Sequence, residues 1–232
     1  MKKVGIIGGV GPSATLDLYG YIIKNTPAKR DQDHLRVIID SNAQIPDRTK
    51  AFLENGESPI PQIKESIKIL EQAGVDNISC PCNTAHIFLR QIKDQINVDF
   101  IDMIDETMKI LSIKNIKKTG LLSTSGTVAS QIYQETAKKY NIEVVVPSDK
   151  EIENEMEAIY GVEGIKAGIQ FEKSIYNKNI FLKIIENFQK NNINSVIMGC
   201  TEIPLCLEEK DTNILLLNPT EILANAIIKK SV

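Results

Sequence analysis

A chain of 232 residues is long enough to bury the core of one large domain or two small ones. Its 27 Lys and Arg against 30 Asp and Glu, a net charge of −3, do not supply the basic surface that a phosphate backbone requires, so nucleic acid is not an expected partner. No apolar run reaches the roughly 18–20 residues that cross a bilayer. The run after Met1-Lys2-Lys3 stops at Gly8-Gly9 without a small-residue cleavage site. It reads as a first strand and not a signal peptide, and a cytoplasmic protein without membrane association is expected.

Four cysteines, Cys80, Cys82, Cys200 and Cys206, stand in two close pairs. A disulfide scaffold is not expected at this size without a secretion signal. Zinc is not expected either, because C-x-C with C-x5-C does not match structural spacings and the Asn and Thr neighbours are not ligands.

In chain order, Lys3 to Ile7 is a short apolar run that ends at Gly8-Gly9-Val10-Gly11-Pro12. A helix is expected from about Ser13, with Leu16, Leu18, Tyr19, Ile22 and Ile23 as its apolar face. The Gly9-Val10-Gly11 turn reads either as a plain tight turn or as a place where backbone N–H groups approach a bound anion. Leu35 to Asp40 predicts a second strand, buried on both faces. It leads into the polar loop Ser41–Thr49, at the strand end where open α/β sheets bind ligands. There Arg48 either grips a carboxylate or lies on the surface behind a capping Asp47. Pro59 to Ala73 has helical spacing through Ile63, Ile67, Ile69 and Leu70. Val75 to Ser79 predicts the third strand, Ala85 to Ile96 a helix, and Val98 to Met103 the fourth strand.

The second half starts again. Lys118 to Leu122 parallels the first strand, and Ser123-Thr124-Ser125-Gly126-Thr127 parallels its turn. Gly5 to Gly120 and Gly11 to Gly126 are the same interval, and Cys82 to Cys200 is nearly so. Ile142 to Val146, Ser195 to Met198 and Ile214 to Leu217 complete a second set of four strands. So long a period predicts two duplicated domains. Each is a four-stranded parallel sheet flanked by helices, an α/β architecture with the active site in the cleft between them. The boundaries predicted are 1–102 plus 219–232, the last segment a returning C-terminal helix, and 103–218. Ile152 to Gly168 has helical spacing and carries Lys166, either a second cation at the site or a solvated lysine. Leu182 to Asn191 and Ile222 to Lys230 are amphipathic helices.

Cysteines at matching strand ends, each opening a helix, suggest thiolates, since a helix N-terminus lowers a thiol below its free value of about 8.5. A thiolate on one face of a carbon and a thiol on the other can invert it. One removes the α-proton, the other delivers one, and Asn83, Thr84 and Thr201 are placed to steady the anion between them.

The stretches GGVGPSAT (Gly8–Thr15), N-x-Q-x-P-D-R (Asn42–Arg48), PCNTAH (Pro81–His86) and GCTE (Gly199–Glu202) resemble those of the aspartate/glutamate racemases, in particular the aspartate racemase branch. The resemblance runs over nearly the whole chain. It implies a cofactor-independent, homodimeric two-base racemase with Cys82 and Cys200 as the acid/base pair. Asn83, Thr84, Thr124, Thr127 and Thr201 would line an acidic amino-acid substrate, with Arg48 and Lys166 near its carboxylates. Gly9, Val10, Gly11 and Glu202 complete the candidate substrate-binding set. Glutamate racemases place histidine where this chain has Glu202. Cys80 and Cys206 are expected to be packing residues, and His86 either orients the thiol or caps a turn. Two other functions compete: cysteine-dependent cis–trans isomerisation of an unsaturated diacid such as maleate, and non-catalytic binding of an acidic amino acid.

Overall fold

The computed structural model describes residues 1–168 and 174–232. The chain forms two compact units, residues 1–106 with 220–232 and residues 107–219. Each is built on a four-stranded, all-parallel sheet, as the repeated pattern of short apolar runs predicts.

In the first unit β1 (Val4–Gly8), β2 (Val37–Ser41), β3 (Asn77–Ser79) and β4 (Asp99–Phe100) are arranged β2-β1-β3-β4. In the second, β5 (Lys118–Leu122), β6 (Glu143–Val145), β7 (Ser195–Met198) and β8 (Leu215–Leu217) repeat the order as β6-β5-β7-β8. The first strand of each unit lies between the second and third. Chain direction across the sheet therefore reverses there, and the loops leaving β1 and β3, or β5 and β7, emerge side by side. This is the point where open α/β sheets form their ligand crevices. The register fixes the adjacency: Gly5 lies opposite Ile78 and Leu122 opposite Met198, and the Gly199 N–H donates to the Leu122 carbonyl at 2.6 Å.

Alternation along the central strand separates the two faces of the first unit. Val4 and Ile6 pack with Leu18 and Ile22 of α1 (Pro12–Asn25) and with Leu223, Ala224 and Ile227 of the C-terminal helix (Pro219–Ser231). Ile7 and Ile78 pack on the other face against Ile63, Ile67 and Leu70 of α3 (Ile60–Gln72), in the core that also holds Cys80 and Cys82. The C-terminal helix is tied down by polar contacts. The Lys2 N–H donates to the Ser231 carbonyl at 2.9 Å, and Asn77 Nδ2 donates to Ser231 Oγ at 3.0 Å.

Several elements differ from the sequence pattern. β2 is half-buried, because as an edge strand it has one neighbour and incomplete cover. α1 buries Ala14, Thr15, Leu18 and Ile22, while Leu16 is 70% exposed and Ile23 46%. Both sets obey the helical period, and contact with the sheet decides between them. Ile69 of α3 is likewise exposed. The helix expected over 85–96 shrinks to α4 (His86–Leu89). Gln91 and Ile92 then bond to the carbonyls three residues back, tightening the chain into 3₁₀ geometry. The strand expected over 98–103 is only Asp99–Phe100, since α5 (Met103–Ile113) begins where Asp102 Oδ1 accepts from the Ile104 and Asp105 N–H groups. The helix expected over 152–168 is α8 (Asp149–Tyr160), which stops at Gly161 and is followed by a 3₁₀ turn, Ile165–Ala167. Between α5 and α8 lie α6 (Ser125–Ala129) and α7 (Ile132–Lys138), with α2 (Arg48–Leu53) earlier in the chain. α9 (Ile175–Lys190) and α10, the C-terminal helix, follow among the described residues.

The two faces of α1 give a direct test. Leu18→Ala should cost about 2–5 kcal/mol in urea unfolding, whereas Leu16→Ala should stay within about 0.5 kcal/mol. Equal losses at the two positions would show that the helix is rotated from this packing.

Candidate active site

At the carboxyl end of β1 the chain turns through Gly9, whose φ is +81°. A Cβ there would lie 2.2 Å from the Asn42 carbonyl carbon, so only glycine fits. The Thr15 hydroxyl accepts from the Gly9 N–H at 3.0 Å and donates to the Gly11 carbonyl at 2.9 Å. The Gly9 N–H is thus bonded within the turn, and the Val10 side chain is wholly buried in the core beside Cys82. Gly11 is the N-terminal cap of α1. These three residues shape the floor of the loop.

Asp47 caps α2, accepting from the Lys50 N–H at 2.8 Å. Arg48 follows it and turns inward. It is 8% exposed and donates through Nη1 to the Ile45 and Pro46 carbonyls, each at 3.0 Å. Its charge reaches the neighbouring loop, where it partly offsets the rise that burial and Cys82 impose on the Cys80 thiol. Asp47 caps the helix as one of the two alternatives read from the sequence has it, but Arg48 is buried and does not lie on the surface behind it.

Cys80 directly follows β3, and Cys82 stands two residues on. Asn83 and Thr84 are buried in the turn that starts α4: their carbonyls accept from the His86 and Ile87 N–H groups. His86, fully buried, has a definite task. The Met103 N–H donates to His86 Nε2 at 3.1 Å, so that nitrogen is unprotonated, and Nδ1–H donates to the Cys82 carbonyl at 2.8 Å. The imidazole therefore ties the Cys82 backbone to the first residue of α5; it touches the Cys82 carbonyl and not the sulfur. Burial lowers the His86 pKa from its ordinary value of 6.5, against the nearby Asp102 charge, and keeps the ring neutral. Asp102 is anchored by Arg90 through Nε to Oδ2 at 2.7 Å and Nη2 to Oδ1 at 3.1 Å. Burial would raise this carboxyl, but His86, Arg90 and the helix-cap bond outweigh it and hold it at about 2.

In the second unit Thr124 caps α6, its hydroxyl accepting from the Thr127 N–H at 3.4 Å and lying 3.2 Å from the Thr127 hydroxyl. Both threonines are buried. α8 supports this loop, since the Ser125 N–H and hydroxyl reach Met156 Sδ at 3.3 and 3.4 Å. Glu155, one residue earlier, is wholly buried, and burial pushes its carboxyl well up.

Beside that loop stands a polar cluster around a cysteine. Cys200, 6% exposed, follows β7 after Gly199 and donates from Sγ to Glu202 Oε2 at 3.0 Å. The Thr201 hydroxyl donates to the same oxygen at 3.3 Å. Lys166 Nζ donates to Glu202 Oε1 and lies 5.5 Å from the centre of the Tyr160 ring. The break at Gly161 makes this possible, because the 3₁₀ turn beyond it carries Lys166 to Glu202. Burial, followed by the Glu202 charge, pushes the Cys200 thiol well above its ordinary value, with Lys166 opposing. This overturns the expectation that a helix N-terminus lowers it: the helical segment after Cys200 is only the 3₁₀ turn Ile203–Leu205, too short to compensate for burial.

The structure thus gathers Cys200, Thr201, Glu202 and Lys166 into one cluster. It sets Arg48 beside the Cys80–Cys82 loop and leaves Cys80 and Cys206 as buried free thiols, Cys206 pushed up to about 12 chiefly by burial. Met156 escaped the sequence reading, and Tyr160 was marked only as part of the 152–168 segment, because neither the period nor a motif marks a residue that supports a neighbouring group from another element. Among the described residues no group of three or more His, Cys, Asp or Glu could hold a metal ion, and no helix is long and apolar enough to cross a membrane.

The repeat defines the class: a duplicated α/β protein with a buried thiol in the same loop of each half. Comparison with known proteins names it. Residues 7–227 match the Asp/Glu/hydantoin racemase family model, and the chain belongs to that family. Among solved structures it is similar to the aspartate racemase of Picrophilus torridus, with 35% identity, a TM-score of 0.87 and coverage of 100% of this chain and 94% of that one. It is also similar to an aspartate racemase homologue from Pyrococcus horikoshii OT3, at 29% identity and TM-score 0.77, covering 100% and 99%. The broad specificity amino-acid racemase RacX of Bacillus subtilis is 32% identical over 146 residues, 61% of this chain and 63% of that protein's length.

The His86 link predicts a pH dependence of stability. Its folded pKa lies below 6.5, so as pH falls the unfolded chain takes the proton first, and stability declines from about pH 6.5 downward until the folded pKa is passed. Urea midpoints should fall between pH 7 and 5 in the native protein, and His86→Asn should flatten this slope while lowering stability at pH 7 by about 1–3 kcal/mol. An unchanged slope in the variant would remove His86 from this role.

Proposed function

We propose that the protein racemises an acidic amino acid, aspartate first and glutamate or a broader set next, by proton transfer at Cα between Cys82 and Cys200 without a cofactor. The observation that carries this reading is the thiol placed after the third strand of both halves of a duplicated fold. Membership of the racemase family and the likeness to an aspartate racemase support it.

In the reaction a thiolate takes the α-proton, and the C–H electron pair passes into the α-carboxylate. The other thiol then delivers its proton to the opposite face, leaving its own electron pair on sulfur. The intermediate is a dianion at an acidic substrate's α-carboxylate, so fixed donors and cations lower the barrier more than bulk water does. Asn83 and Thr84 beside Cys82, Thr201 beside Cys200, and Thr124 and Thr127 on the neighbouring loop are the donors proposed. Arg48 and Lys166 are the cations proposed, one from each half, and Lys166 is shared with Glu202.

The test is an exchange assay in heavy water with a panel of amino acids and no added cofactor, read by chiral separation and mass spectrometry. Deuterium should enter Cα of aspartate as the enantiomers interconvert. Cys82→Ala and Cys200→Ala should each lower the rate by at least about 10²–10⁴-fold, the range of a lost general acid or base. A Cys200→Ala protein that racemises normally would overturn the two-base assignment, and isomerisation of maleate without Cα exchange would replace it by the isomerase.

A further inference from the structure

The sequence assigned Glu202 to the substrate, yet both of its oxygens are engaged inside the second unit. Oε2 accepts from Cys200 Sγ at 3.0 Å and from the Thr201 hydroxyl at 3.3 Å, and Oε1 accepts from Lys166. The Glu202 side chain is 5% exposed and that of Lys166 20%. A carboxylate this deep is tolerated because an ammonium neutralises it. We propose that Glu202 is the proton partner of Cys200: it holds the thiol protonated in the resting protein, takes that proton when Cys200 must act as a base, and Lys166 sets the balance between the two.

This inference rests on the two-base reading for its catalytic meaning, but its physical basis is charge conservation in a buried place. A thiol that releases its proton to water leaves a net negative charge among apolar neighbours, which burial disfavours. Transfer to Glu202 avoids this. The S–H bond breaks and its electron pair stays on sulfur, an O–H bond forms at Oε2, and the negative charge moves from carboxylate to thiolate. Lys166, Glu202 and Cys200 together carry no net charge before or after. The proton stays within one hydrogen bond of the sulfur, ready to return when Cys200 is next the donor. Thr201 keeps its hydrogen bond to Oε2 while that oxygen is charged and can turn its hydroxyl to the sulfur afterwards. The titratable groups acting on Cys200 are Glu202 from its own loop and Lys166 from the Ile165–Ala167 turn, and they pull in opposite directions. Glu202 acts through the sulfur and is in that sense a positioning residue for the proton.

The experiment reads the thiol itself in the full-length protein without substrate. Brief iodoacetamide pulses are applied from about pH 6 to 11, and carbamidomethylation of the Cys200 peptide is measured by mass spectrometry. Glu202→Gln removes the acceptor charge and leaves Lys166 acting alone. The labelling midpoint should fall by about one pH unit or more, with roughly tenfold faster labelling at pH 7. Lys166→Met should move the midpoint upward, and Glu202→Asp should stay near the native value. At saturating aspartate, E202Q should lower kcat about 10²-fold with KM within about threefold, because the thiolate lacks its local proton. An E202Q midpoint that is unchanged or raised overturns the proposal, and so does a raised KM with kcat retained, which would make Glu202 a substrate ligand. Circular dichroism confirms folding, and the Lys166→Met arm is an independent test, since a midpoint that does not rise also refutes the pairing. Failure of native protein to exchange Cα protons would sink the racemase reading while the labelling shifts still decided the proton pairing.

Discussion

Every strand of each sheet runs the same way, so all four loops leaving the strand ends of a unit come out at one edge. The order second-first-third-fourth then brings the loops after the first and third strands together. The rest follows from this constraint. The Gly9 turn and the Cys80–Cys82 loop are neighbours because β1 pairs with β3, and the Thr124 loop lies beside Cys200 because β5 pairs with β7. Parallel pairing also buries the central strands β1, β3, β5 and β7 almost wholly, and the candidate site residues stand in the loops that leave them.

The duplicated architecture was legible because each strand is a short apolar run bounded by glycine or polar turns, and because the runs recur in one order around matching cysteines. Helix faces were less legible. Leu16, Tyr19 and Ile23 satisfy the same period as Ala14, Leu18 and Ile22, and only the position of the sheet separates them. The long helix expected over 152–168 failed at Gly161, where apolar spacing on both sides concealed a break in the backbone.

Of the candidate site, the sulfurs were legible from repetition, but their electrostatic surroundings were not. Cys200 is followed only by the 3₁₀ turn Ile203–Leu205, and burial together with the Glu202 charge pushes its thiol up. The Glu202 carboxylate two residues from Cys200 was visible in the sequence, but which way it pointed was not, since that depends on Lys166 arriving from a distant turn. Arg48 shows the same limit. Its sequence context marks a cation after a capping aspartate, while its contacts with the Ile45 and Pro46 carbonyls depend on how the loop closes. His86 was marked by its spacing from Cys82, yet the pairing of its second nitrogen with Met103 joins residues on either side of β4 and carries no local signature.

The two halves share a backbone plan but hold their cysteines differently. Cys82 has its carbonyl fixed by a neutral imidazole, whereas Cys200 has its sulfur bonded to a carboxylate that an ammonium balances. Duplication has preserved topology and let the surroundings diverge, so structural equivalence between the halves does not make their parts interchangeable. A chimera with the Pro81–His86 loop grafted after β7 would gain a cysteine but lose Glu202 from beside it, and its new histidine would be parted from the Met103 N–H that holds it in the first unit. In evolutionary terms each loop has become specialised to its own half, and substitutions near one cysteine do not forecast the effect of the matching substitutions near the other.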